Sequence, residues 1–227
     1  MATSDVLTFL NLWVERCKKE GDPAVAHGQK AYMRDQFEFY GLKSPVRRDI
    51  QKELFRKHLP PLRSDIKELV IKLWKLPERE NHYMAQELAK KKLKVVAKED
   101  YLLFENLITH KSWWDTVDFI AANLVGNYFK AFPEQRTEIT SKWLGTGNIW
   151  LQRSVLLFQL KYKAEVDTEF LADTIHYLTG SKEFFINKAI GWILREYSKT
   201  NPIWVSQFVE ATQLHSLSKR EALRLIK

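Results

Sequence analysis

One helical pattern returns at a nearly constant interval in the second half of this chain, and that recurrence constrains the fold more than any other feature. Four segments lead from a turn into an aromatic or basic helix start: SWWD around Trp114, NIWLQR around Trp150, KEFFINK around Phe185 and LSKREA around Ser218. Their anchors lie 36, 35 and 33 residues apart, close to the length of one helical hairpin. Elsewhere the apolar residues keep helical spacing: Val6, Leu10, Trp13 and Val14; Ile66, Val70, Leu73 and Trp74; Leu151, Val155 and Phe158. No period-two run argues for a strand. Start signals fall at Ser4 before Asp5, Ser64-Asp65, Ser44-Pro45 and Asn201-Pro202. Short turns fall around Gly41, Pro60-Pro61, Pro77, Gly145-Gly147 and Gly180, dividing the chain into about a dozen helices.

Neither the tetratricopeptide consensus nor the T-P-L-H-x-A ankyrin signature is present, so the repeats are best described as degenerate HEAT-like hairpins. The expected fold is all-α: a right-handed α-solenoid forming a single domain over 1–227, with equivalent helices lining a concave basic face. Thirty-six Lys and Arg against 28 Asp and Glu give a net charge of +8, which favours a polyanionic partner. The single cysteine, Cys17, excludes an intrachain disulfide framework and fits a reducing, cytoplasmic compartment. The opening stretch carries Glu15 and two lysines and reads as a helix of the domain, not a signal peptide. No charge-free apolar run reaches the roughly 18 residues of a membrane span.

In THKSWWDTVD, Trp114 and Asp118 are four apart and share a helix face, with Trp113 and Asp115 pointing elsewhere. One repeat on, Trp150 and Arg153 occupy the same helix end. One further, Phe185, Lys188 and Trp192 form a stripe. Together these segments offer a carboxylate, an arginine and indoles. Each also has a plain structural reading: tryptophans as core, Asp118 as a helix-surface aspartate or a salt-bridge partner of Arg153, and Lys188 and Lys219 as solvated side chains.

At these residues the chain resembles the bacterial AlkD family of DNA alkylation-repair glycosylases. The resemblance is carried by SWWDxVD at 112–118, NIWLQR at 148–153, FQLKYK at 158–163, SKEFFIxKAIGWxLREYxKTNP at 181–202 and LSKREA at 217–222. AYM at 31–33, SPVRR at 44–48 and LWKLPERE at 73–80 extend it upstream. It implies a monofunctional enzyme that hydrolyses the N-glycosidic bond of cationic alkylated purines, such as 3-methyladenine and 7-methylguanine, in duplex DNA. Asp118 then matches the catalytic aspartate, Trp114 and Trp192 the aromatic site residues, Arg153 the site arginine and Tyr32 a DNA-facing aromatic.

Such chemistry suits these side chains. An alkylated purine already leaves well, so the remaining task is to stabilise the oxocarbenium-like sugar, which a nearby carboxylate does electrostatically. Indole faces attract cations. Arg153 is expected to hold the phosphate backbone, with Arg47, Arg48, Lys188, Lys219 and Arg220 adding phosphate contacts that position without reading sequence. The six histidines are scattered and no Gly-rich phosphate loop is present, so no cofactor or metal is expected. The expected partner is double-stranded DNA containing alkylated purines, bound by a monomer with no obligate protein partner. A non-catalytic HEAT-like module that binds DNA or protein accounts equally well for charge and repeats, though not for the joint match of Trp114, Asp118, Arg153 and Trp192.

Overall fold

A computed structural model describes residues 4–226; residues 1–3 and 227, and the side chain of Ser4 with its expected cap, lie outside the described residues. The fold is all-α, and the only extended pairing among the described residues is an isolated bridge between Glu38 and Glu78. The chain packs as two compact units, one within Met1–Val95 and one within Val96–Lys227.

The first unit contains α1 (Ser4–Glu20), α2 (Pro23–Tyr32), α3 (Ser44–Lys57), α4 (Arg63–Lys75) and α5 (Arg79–Lys92). The buried stripe of α1 is Val6, Phe9, Trp13 and Cys17, so its inward face is turned away from the expected Leu10 and Val14, which are only half-buried. On α4, Ile66, Val70, Leu73 and Trp74 are buried as their spacing predicts. That helix begins at Arg63, with Leu62 as its N-cap and no side-chain capping bond. The Ser64-Asp65 signal therefore lies inside the first turn, where Asp65 is buried instead of capping.

LWKLPERE turns two of its charges, Arg79 and Glu80, inward. Glu80 is buried and accepts the backbone N–H groups of Tyr40 (3.1 Å), Gly41 (3.0 Å) and Leu42 (3.1 Å), fixing the long connection between α2 and α3. Arg79 stacks 3.8 Å from the centre of the Phe37 ring in the same connection. Burial pushes the Glu80 carboxyl up, and the backbone N–H groups oppose that rise.

The second unit holds α6 (Asp100–Thr109), α7 (Trp114–Ile120), α8 (Gly126–Ala131), α9 (Arg136–Gly145), α10 (Ile149–Leu157), α11 (Thr168–Leu178), α12 (Phe184–Ser198), α13 (Pro202–Ala211) and α14 (Ser216–Ala222). Its four recurrent motifs open α7, α10, α12 and α14. These helices pack in that order, α7 on α10, α10 on α12 and α12 on α14. Each repeat thus delivers its first turn next to that of its neighbour.

The closest of these contacts depends on one missing side chain. A Cβ on Gly191 of α12 would lie 2.6 Å from the Glu221 Cβ and 2.9 Å from the Ser218 carbonyl oxygen of α14. Gly191→Ala is expected to force the two helices apart at a cost of about 1–3 kcal/mol. Thermal or urea unfolding checks this, and wild-type stability would show that the seam yields freely.

Candidate active site

The turn entering α7 is shaped before the helix begins. Lys111 sits at φ 53°, in the left-handed region that residues with a Cβ rarely adopt, and the Ser112 hydroxyl donates to the Ile108 carbonyl at 2.6 Å. Trp113 follows as the extended N-cap, so Trp114 and Asp118 occupy the first turns of α7 on one face. After Ile120 the helix passes through a π-helical turn, Ala121–Val125, into α8. Single π turns of this kind are often found beside functional sites.

Arg153 reaches the same place from α10. Gly147, at φ 69°, reverses the chain, and the Asn148 side chain caps the helix by accepting the N–H groups of Trp150 (2.9 Å) and Leu151 (3.2 Å). One turn later, Arg153 grips Asp118 with two parallel bonds, Nε to Oδ1 at 2.7 Å and Nη2 to Oδ2 at 2.9 Å. Its Nη1 donates to the Phe185 carbonyl, so all three guanidinium nitrogens are engaged.

The Asp118–Arg153 pair is largely dry, with side chains 12% and 4% exposed. Burial pushes the Asp118 carboxyl above its ordinary range, Arg153 pulls it back, and nearby Asp115 adds to the rise. Arg153 uses one lone-pair direction on each oxygen, leaving capacity for another donor or a developing positive charge.

Asp118 and Arg153 line a cleft of about 280 Å³ whose other walls are Trp114, Phe184, Phe185, Lys188, Trp192 and Arg195. Three segments expected to carry chemistry therefore converge, with Trp114 and Asp118 from α7, Arg153 from α10, and Lys188 and Trp192 from α12. Of the cleft walls, Phe185 also packs with Trp113 and Trp150 in a triangle of rings with centroids 5.7, 5.2 and 4.9 Å apart. Phe184 and Arg195 were not among the residues expected to form the site, and Phe185 entered only through the α12 stripe. Their signal was present in the i, i+4, i+11 spacing of Phe184, Lys188 and Arg195, which places all three on one face of α12.

Two of the cations expected at phosphate, Arg153 and Arg47, are buried and engaged within the protein. Arg153 spends three of its five N–H groups on Asp118 and the Phe185 carbonyl, so its Nε–Nη2 edge is taken by the carboxylate. Arg47 is 4% exposed. It binds Gln51 (3.1 Å) and Glu87 (2.6 Å) and lies 5.4 Å from the centre of the Tyr83 ring, which makes it a core residue. Arg48 and Tyr32 are exposed in the first unit, and Lys219 and Arg220 are exposed on α14. Lys219 borders a separate hollow with Ser206, Val209 and Glu210, outside the Asp118 cleft.

Among the described residues, no group of three or more His, Cys, Asp or Glu is placed to hold a metal ion. No helix among them is long and apolar enough to cross a membrane.

No curated protein matches the chain significantly. Among solved structures, it is similar to a predicted DNA alkylation repair enzyme from Enterococcus faecalis, with 31% identity and a TM-score of 0.83, covering 91% of this chain and 96% of that one. The family model for DNA alkylation repair enzymes matches residues 14–226 and so spans both units. The chain belongs to the DNA alkylation repair enzyme family.

Proposed function

We propose that this repair enzyme is a monofunctional DNA glycosylase that hydrolyses the N-glycosidic bond of cationic alkylated purines in duplex DNA. The observation that carries the reading is a largely dry carboxylate, Asp118, held by two bonds from Arg153 at the edge of a cleft walled by Trp114 and Trp192. As the bond to a 3-methyladenine or 7-methylguanine stretches, positive charge grows on the deoxyribose. A fixed carboxylate in a water-poor site stabilises that charge with little reorganisation. The departing base carries its own positive charge and leaves neutral, so no general acid is needed. Water then adds to the sugar carbon, and Asp118 is placed to accept its proton or orient it. The indole faces of Trp114 and Trp192 pack against the sugar and the cationic base, worth about 0.5–2 kcal/mol each.

Phosphate contacts fall to Lys188 and Arg195 at the cleft, Lys219 and Arg220 on α14, and Arg48 in the first unit, with Tyr32 as a further DNA-facing side chain. These fix the duplex without reading its sequence. The protein acts in the cytoplasm, as a monomer.

The mechanism turns on the lesion's charge. Matched duplexes carrying 7-methylguanine or the neutral adduct O6-methylguanine at one position are expected to differ completely, with base released only from the first. Equal release from both would mean that the cleft activates the leaving group itself, contrary to the role given to Asp118.

A further inference from the structure

Glu221 lies on α14, outside the cleft, yet it grips two of the cleft's walls. Its Oε1 accepts from Lys188 Nζ at 2.7 Å and its Oε2 from Arg195 Nη1 at 2.6 Å. The carboxylate is 11% exposed, against 38% and 22% for the two cations. Lys188, Trp192 and Arg195 follow one another at i, i+4 and i+7 along α12, so Glu221 holds the residues on both sides of the cleft indole. The approach is built in: Gly191 has no side chain to keep α14 away, and the Ser218 hydroxyl donates to the Asn187 carbonyl at 2.8 Å. Lys188, with Arg195, holds the Glu221 carboxyl below its ordinary range, so the carboxylate stays charged.

We propose that Glu221 is a positioning residue that fixes Lys188 and Arg195 as a pair of phosphate-binding cations on either side of Trp192, and that it limits the net charge they present to DNA. One carboxylate shared by two cations leaves a triad of net charge +1 whose cationic ends are held still. Without the carboxylate, the two cations attract any phosphate more strongly but no longer hold one in register with Trp192. The result is opposite movement of binding and excision, which loosening of a helix seam does not produce.

The test is Glu221→Gln in the full chain, measured by binding to unmodified duplex across a salt series and by single-turnover release of 7-methylguanine. Unmodified duplex is expected to bind several-fold tighter at low salt, with the log–log salt slope steeper by about one unit. Excision is expected to slow by about ten- to a hundred-fold, the scale of a small misplacement in a site. Ser218→Ala is the control, because it weakens the same seam without touching either cation. It should lower the melting temperature and leave the salt slope unchanged. The proposal is overturned if Glu221→Gln leaves the slope unchanged, if its binding and excision fall together, or if Ser218→Ala reproduces its DNA profile. The excision arm rests on the glycosylase reading. If the wild-type protein releases no base, that reading fails and the salt slope alone decides the role of Glu221.

Discussion

Replacing Asp118 with asparagine is expected to slow release of 7-methylguanine by about 10²–10³-fold, the usual scale for removing one preorganised electrostatic group. Asparagine nearly preserves the shape but removes the charge that faces the developing oxocarbenium ion. It also leaves the Arg153 guanidinium, 4% exposed, without its counter-charge. Breaking a buried pair on one side typically costs about 3–5 kcal/mol, so a lower melting temperature should accompany the lost activity. Affinity for undamaged duplex should stay near that of wild type, since Asp118 contacts no phosphate in this account. Single-turnover excision, filter binding and a melting curve on one preparation separate the three effects. Full excision activity in a folded Asp118→Asn protein would remove Asp118 from the chemistry.

Arg153→Met is the second large perturbation, and its signature lies in pH. Burial raises the Asp118 carboxyl and Arg153 opposes that rise. Without the guanidinium the carboxyl therefore rises further. Only the ionised form stabilises the cationic sugar, so activity disappears as pH falls through the carboxyl's pKa. In the variant this acid limb should move to higher pH, and activity near neutrality should fall with it. The slope of DNA binding against salt should hardly change, because the guanidinium is occupied by Asp118 and the Phe185 carbonyl. A wild-type acid limb together with a shallower salt slope would restore Arg153 to the role of phosphate clamp.

The contrast between Asp118 and Arg153 shows which parts of the site could be read from the residues alone. Asp118 and Trp114 sit four apart, and 3.6-residue periodicity places them together wherever the helix lies. The intervals to Trp150 and then Phe185 match the packing, with α10 beside α7 and α12 beside α10. What side chains do after they meet is set by packing. Arg47 and Arg153 look like surface cations in one dimension, and each is buried because a carboxylate from another helix reaches it, Glu87 for Arg47 and Asp118 for Arg153.

Glu221 and Arg195 are a similar case, since their pairing across α12 and α14 depends on the space left by Gly191. Helix starts were legible where a side chain caps, as at Asn201, which accepts the Trp204 N–H at 3.0 Å. Ser44-Pro45 also opens α3, with proline in the first turn and no side-chain cap, whereas the start of α4 was misplaced, since Leu62 stands ahead of it with no capping side chain. The tryptophans divide along the same line. Trp13, Trp74 and Trp143 are buried core, and Trp204 packs in parallel on Phe208 with centroids 5.0 Å apart. The other four, Trp113, Trp114, Trp150 and Trp192, line the Asp118 cleft or pack on its Phe185 wall. Residue type alone does not distinguish the two groups, whereas position at the first turn of a recurrent helix distinguishes all but Trp192.

The most direct measurement of the central claim is chromatography of the bases liberated from methylated duplex DNA, with the DNA strands examined alongside. The account predicts free 3-methyladenine and 7-methylguanine, with unbroken strands that carry abasic sites. Tight binding to the same DNA with no free base above the buffer control would contradict it and make the protein a non-catalytic binder of damaged DNA.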